Sequence, residues 1–272
     1  MQQTELLPIN LNLRVVVTAG ASGIGKTIAN AFSKTGSKVL VCDISEQAVE
    51  EFNEENSGVA VRADVSDVHQ MELFFVEAKR RLGGLDVLVN NAGIAGPTAP
   101  IEDIDPIDWE KTVSVNLNGL FYCTKFALPL LKQAKGGSII NIASSAAMKG
   151  YPLRSPYSAT KWAMIGMTKT IAMEAGSFNI RVNAICPGSV KGPRIEQVIK
   201  NDAKIRGVAP EIIRQTYLNQ VSLRTFVDAQ DIANTAVYLA SKYGKNISGQ
   251  TIGVDGHTES LSNPTNLKNE EY

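Results

Sequence analysis

The sequence is poor in the residues from which metal centres, disulfide scaffolds and aromatic platforms are built. Only three cysteines and two histidines occur in 272 residues, and aromatics make up 6%. Cys42, Cys123 and Cys186 are an odd number, far apart, and each stands in or near an apolar segment, where a reduced thiol behaves as a small hydrophobe. This points away from a disulfide framework and towards a reducing, cytoplasmic setting. His69 and His257 have no metal-ligand spacing with cysteines or acids, so no metal is expected. Charge of one sign is lacking as well: Lys+Arg and Asp+Glu number 27 each, which gives no general attraction to nucleic acid or anionic lipid. No apolar run reaches the roughly 18 residues that a spanning helix needs, and residues 1–10 lack a basic stretch followed by an apolar one, so neither export nor membrane insertion is expected.

What is present is a 44% hydrophobic chain with no Pro/Ser/Gly-rich linker or charge block, which reads as one domain over 1–272. Short β-branched runs at 14–18, 38–42, 58–62, 87–90, 138–142, 181–185 and 251–254 alternate with helical patterns near 25–34, 45–55, 68–82, 108–131, 157–176 and 228–240. Parallel neighbours require such crossovers. The expected fold is therefore an α/β, Rossmann-type doubly wound sheet of seven parallel strands with helices on both faces. The stretch 191–225 interrupts the rhythm just after a strand's carboxyl end and is expected to be a substrate-covering loop. The polar tail 260–272 is expected to be mobile or to dock on a neighbouring subunit.

Chemistry-bearing residues fall at three places. A glycine-rich turn, with Gly20, Ser22, Gly23 and Ile24, joins the first strand to a helix; glycine lets backbone approach a pyrophosphate, and the helix start offers unpaired N–H donors and a positive dipole end. Asp43 ends the second strand, where an acid can accept hydrogen bonds from both adenosine ribose hydroxyls and repel a 2′-phosphate, which favours NAD over NADP. The same aspartate could instead cap the following helix or simply be solvated. Tyr157 and Lys161 are four apart, hence stacked on one helix face, where an ammonium stabilises a phenolate and makes proton exchange with a substrate hydroxyl feasible. Alone, this spacing also describes an ordinary surface pair.

Taken in order, these motifs resemble the short-chain dehydrogenase/reductase family, in its ordinary single-domain Tyr-x-x-x-Lys branch, over residues 13–256. The turn at 18–25 is similar to Thr-Gly-x-x-x-Gly-Ile-Gly, with Ala19 in place of the first glycine. Asp64-Val65 resembles the adenine-binding pair, and Asn90-Asn91-Ala92-Gly93 the motif that ends the fourth strand and supports the cofactor. The resemblance implies a catalytic tetrad of Asn116, Ser144, Tyr157 and Lys161. Ser144, thirteen residues before Tyr157, takes the active position and Ser145 a structural one. In the implied roles Ser144 polarises the carbonyl, Tyr157 exchanges the proton, Lys161 assists it and holds the nicotinamide ribose, and Asn116 positions a water. Pro187, Gly188 and Val190 resemble the Pro-Gly segment that meets the nicotinamide. Gly192 stands where threonine is frequent, and His257 where another glycine is frequent. The resemblance also implies a homotetramer (or homodimer) built through 108–131 and 157–176.

Substrate choice is expected in 95–98, 146–154 and 191–225, because these follow strand ends. Arg154, Lys191 and Arg194 could together attract a carboxylate, phosphate or sulfonate, with solvated surface charge as the plainer alternative. Met148, Tyr151, Leu153 and Trp162 are candidates to wall the pocket. The expected function is an NAD(H)-dependent oxidoreductase acting on a secondary alcohol or ketone of a small polar molecule: a hydroxy acid, sugar or polyol. The alternatives are an NADPH-dependent 3-oxoacyl thioester reductase and a non-catalytic dinucleotide-binding sensor.

Overall fold

Along β1 (Arg14–Thr18), Val15 and Val17 enter the core on one face of the sheet and Val16 the core on the other. This two-sided burial is what an unbroken Val-Val-Val run requires, and it demands helices on both faces. The computed structural model describes residues 10–55 and 58–261. Its strands are β1, β2 (Lys38–Asp43), β3 (Val59–Arg62), β4 (Val87–Asn90), β5 (Gly137–Ile142), β6 (Ile180–Pro187) and β7 (Thr251–Val254). They form one sheet of seven parallel strands in the order β3-β2-β1-β4-β5-β6-β7, as the sequence reading expected.

On one face lie α1 (Gly23–Ser33) and α9 (Ala229–Ala240), which bring Ile28, Phe32, Ile232 and Leu239 to the strand valines, with Phe52 of α2 (Glu46–Glu54) beside them. The other face carries α3 (Val68–Leu82), α5 (Gly119–Gln133) and α6 (Ser155–Ala175), which contribute Phe74, Phe75, Leu131 and Ile171. All three cysteines are free and buried, and burial pushes the Cys42 thiol up to about 12. Among the described residues no helix is long and apolar enough to cross a membrane.

Two expectations are corrected. The stretch 108–131 is not one regular helix: α4 (Pro106–Val113) passes through a π-helical turn (Ser114–Asn118) before α5 begins. The interior of 191–225 is not loop: α7 (Pro193–Arg206) and α8 (Pro210–Asn219) fill most of it, each opened by proline in its first turn, where the missing N–H is harmless. A small apolar core of Ile195, Ile199, Ala203, Ile213, Tyr217 and Phe226 holds the pair together. The tail expected at 260–272 lies, from residue 262 onward, outside the described residues.

Candidate active site

The sheet order reverses between β1 and β4, so their carboxyl ends part and open a crevice there. Thr18, at the end of β1, is buried, and its hydroxyl accepts from the amides of Asn91 and Ala92 at 3.0 Å each. Asn91 returns the tie, its Nδ2 donating to the carbonyls of Thr18 and Ala19 at 3.0 Å. Beneath them Asn90 donates to Asn141 of β5 at 2.9 Å, and Asn141 to Thr168 of α6 at 2.8 Å. This chain of buried amides fixes β4 against β5 and α6. The sequence reading placed Thr18 in the glycine motif without giving it a role and missed Asn141 and Thr168; a polar residue inside an otherwise apolar strand, as in Ile-Ile-Asn-Ile at 139–142, was the available signal.

The glycine turn fits a dinucleotide phosphate. A Cβ at Gly20 would lie 2.6 Å from Val41 Cβ, and one at Gly25 2.1 Å from the Ala19 carbonyl, so the turn can pack this tightly only with glycine. Outside Gly23 (φ 52°) nothing lies within 4 Å, which leaves the start of α1 approachable. Ser22 caps that helix without using its hydroxyl, and Ile24 follows in the first turn. Ala19, where the family motif has glycine, sits at φ 46°, a left-handed conformation that glycine adopts with less strain.

Asp43 is buried at the end of β2, and its carboxylate accepts from the Ala21 amide at 3.3 Å and the Ser45 amide at 3.2 Å. The cap of α2 is Ser45, which removes the capping alternative for Asp43 and leaves its carboxylate beside the turn. Asp64 accepts from the amide and hydroxyl of Ser66, at 2.8 and 2.7 Å, and Val65 is buried where a Cβ on Gly119 would touch it. Gly188 is packed so closely on Asp255 that a Cβ would fall 2.9 Å from its Cα. Pro187 ends β6, and Val190 forms a parallel bridge with Val227. Because that bridge uses Lys191 N–H and Ser189 C=O, the N–H and C=O of Val190 itself point away from Val227.

Tyr157 lies in the first turn of α6, with the Lys161 Nζ 5.7 Å from its ring centre. Lys161 is buried and donates to the Ile142 carbonyl at 2.8 Å, which fixes the ammonium at the end of β5. Burial pushes the Tyr157 phenol up; Lys161, Arg194, a hydrogen bond from Ser144, and Arg154 outweigh it and leave the phenol below its ordinary value. Burial likewise lowers Lys161, a shift that Tyr157 opposes and Arg194 reinforces. Asn116, on the π-helical turn, accepts from the Ile94 amide at 2.7 Å and donates to the Ile94 carbonyl at 3.0 Å. The extra residue of that turn re-aims the side chain toward the crevice wall, a use to which π-bulges are often put. A Cβ on Gly93 would stand 3.2 Å from Asn116 Oδ1 and 3.5 Å from Lys161 Nζ, so the crevice wall, Asn116 and Lys161 meet there. Such a grouping can pass a proton to or from an oxygen held between Ser144 and Tyr157.

The three cations expected to act together do not all converge. Lys191 pairs with Asp228 at 3.0 Å on the surface. Arg194, at the start of α7, reaches across to the Gly93 carbonyl at 3.1 Å and is close enough to influence Tyr157. Arg154 is buried with its Cζ 5.5 Å from the Tyr157 ring centre and 5.6 Å from that of Tyr151. Trp162 is half-exposed and donates to the Lys149 carbonyl, so it stands outside this group. His257 (φ 63°) shares a 2.7 Å hydrogen bond with Ser222 and ties the segment after β7 to the segment that follows α8.

A family model described as enoyl-(acyl carrier protein) reductase matches residues 18–257. The chain is 34% identical over 246 residues to the 3-oxoacyl-[acyl-carrier-protein] reductase FabG of Thermotoga maritima, covering 89% of this chain and 95% of the relative. It is 32% identical over 249 residues to a D-beta-hydroxybutyrate dehydrogenase of Rhizobium meliloti, at 89% and 96% coverage. A crystal structure of an actinorhodin polyketide ketoreductase variant with NADPH superposes with a TM-score of 0.86 at 31% identity, covering 90% of this chain and 96% of that one.

Proposed function

Because the chain belongs to the short-chain dehydrogenase/reductase family of oxidoreductases, we propose that it is an NAD(H)-dependent enzyme acting on the CH–OH group of a small polar substrate: a hydroxy acid, sugar or polyol. The observation that carries this reading is geometric: Lys161, held by the Ile142 carbonyl, places its ammonium 5.7 Å from the ring centre of the buried Tyr157, where it favours the phenolate. In the oxidative direction Tyr157 takes the carbinol O–H proton while the C–H bond breaks and its electron pair leaves with the hydride, so that C=O forms. Bound nicotinamide dinucleotide supplies the hydride acceptor. Ser144 donates to the reacting oxygen, Lys161 favours the phenolate, and Asn116 holds the adjoining backbone and a water. The dinucleotide would lie along Gly20, Ser22, Gly23, Ile24, Asp43, Asp64, Val65, Asn91, Ala92, Gly93, Pro187, Gly188 and Val190, with Tyr157 and Lys161 at the nicotinamide end. The helices of 191–225 would cover the substrate.

Asp43 supports NAD, since its buried carboxylate would meet a ribose 2′-phosphate as a like charge. The reductase of Thermotoga maritima favours a second reading, an NADPH-dependent 3-oxoacyl thioester reductase. Steady-state kinetics with both dinucleotides separate them: kcat/KM for NAD should exceed that for NADP by at least about tenfold. A preference for NADPH with acyl thioesters would establish the second reading instead. Tyr157→Phe should lower turnover about 100- to 10,000-fold with dinucleotide binding retained, and a variant as active as the parent would end the catalytic assignment. A cytoplasmic homotetramer (or homodimer) through α5 and α6 completes the reading; exposed Phe121, Trp162 and Met173 on these helices support such a contact.

A further inference from the structure

Arg154 precedes α6 with only 4% of its surface exposed. Its five donors find two neutral acceptors: one terminal nitrogen donates to the Ala95 carbonyl at 2.9 Å and the other to Thr98 Oγ1 at 3.3 Å. Its Nε is buried and has no partner among the described residues. No carboxylate among the described residues pairs with it either. Asp202, which lies near Tyr151, is occupied by Tyr217 at 3.0 Å and Arg206 at 3.3 Å. The guanidinium is instead flanked by the rings of Tyr151 and Tyr157.

A strut between two loops needs no charge; a neutral amide could satisfy Ala95 and Thr98. Taking a full charge out of water without a counter-ion opposes folding strongly, and the usual resolution is an anion from elsewhere. We propose that Arg154 is the anion anchor of the substrate site, and that the substrate is a short hydroxy or oxo acid whose carboxylate it holds. The inference rests on the oxidoreductase reading and narrows its substrate class. Carboxylate is favoured over phosphate because a single planar cation matches two oxygens and one charge. The closeness of Arg154 to the Tyr157 ring favours a carboxylate only one or two carbons from the carbinol, at roughly 1.5 Å per bond.

The test is binding without turnover. Butyrate and butyramide are titrated calorimetrically into the protein, with and without NAD, for the parent and for Arg154→Gln. The parent should bind butyrate at least about tenfold more tightly than butyramide, and the variant should lose that difference. Equal affinities in the parent, or a preference that survives in the variant, would overturn the proposal, as would tighter binding of methylphosphonate than of butyrate. Should Arg154→Gln not fold, Arg154→Lys carries the test: it keeps the charge without the planar fork and should retain only part of the preference, whereas an undiminished preference counts against the anchor. Failure of the oxidoreductase reading would show separately, as an absence of NADH formation from any secondary alcohol while the butyrate preference stands.

Discussion

The shelf at the ends of β1 and β4 and the cover made by α7 and α8 meet where Arg194 donates to the Gly93 carbonyl, yet they are held in opposite ways. On the shelf, side chains bond to backbone: Thr18 to two amides, Asn91 to two carbonyls, Asn116 to both polar groups of Ile94, Lys161 to Ile142. Such ties fix main-chain positions to within the tolerance of a hydrogen bond. The cover has a small apolar core of its own and is joined to the loop before α6 by Tyr151 OH, 2.6 Å from Tyr217 OH. The shelf is thus built to hold one shape, while the cover can alter its interior without disturbing the sheet. On the proposed reading the dinucleotide lies along the first, while the second, with Arg154 in the loop beside it, encloses the substrate.

The largest effect bearing on this contrast is expected on the shelf. Lys161→Met removes the cation that lowers the phenol most, so the Tyr157 pKa should rise. The rising limb of the pH profile for alcohol oxidation, where the phenol loses its proton, should then move to higher pH, and kcat at neutral pH should fall about 100-fold or more. An unmoved limb in pH-dependent kinetics would show that Lys161 does not govern the tyrosine. On the cover, Tyr217→Phe deletes the hydroxyl that links Tyr151 to Asp202 at 2.6 and 3.0 Å. Losing two buried hydrogen bonds should destabilise the cover locally by about 1–3 kcal/mol, seen as faster hydrogen exchange in 193–219 and a KM raised several-fold, with little change in kcat. Equal acceleration in β1 and β4 would mean that shelf and cover are one cooperative unit. The smallest effect is on stability alone. Ala19→Gly relieves a left-handed alanine and should stabilise the protein by about 0.5–1 kcal/mol in denaturant unfolding, against the opposing gain in unfolded-chain entropy.

Local periodicity carried most of the fold. Runs such as Val15 to Val17 can be buried on both faces only in a covered parallel sheet, and every strand appeared within a few residues of its expected place. Helical content in 191–225 was missed because prolines 193 and 210 read as interruptions, whereas each occupies a first turn. The π-helical turn at Asn116 was equally hidden, since one inserted residue barely perturbs a helical pattern. At the site, Tyr157 and Lys161 were legible because four residues on a helix place two side chains together. Lys191 was not: its partner Asp228 is distant in sequence, and nothing local separates a paired cation from a free one.

Short-range spacing and backbone sterics, both written in the amino-acid order, were enough to specify the parallel sheet, the glycine turn at its switch point and the stacking of one phenol over one ammonium. Which charges are balanced was a matter for the folded chain. Asp43 gained its backbone donors, Lys191 its counter-ion and Arg154 none among the described residues, because pairing depends on which groups meet after burial, and burial is a property of the whole molecule.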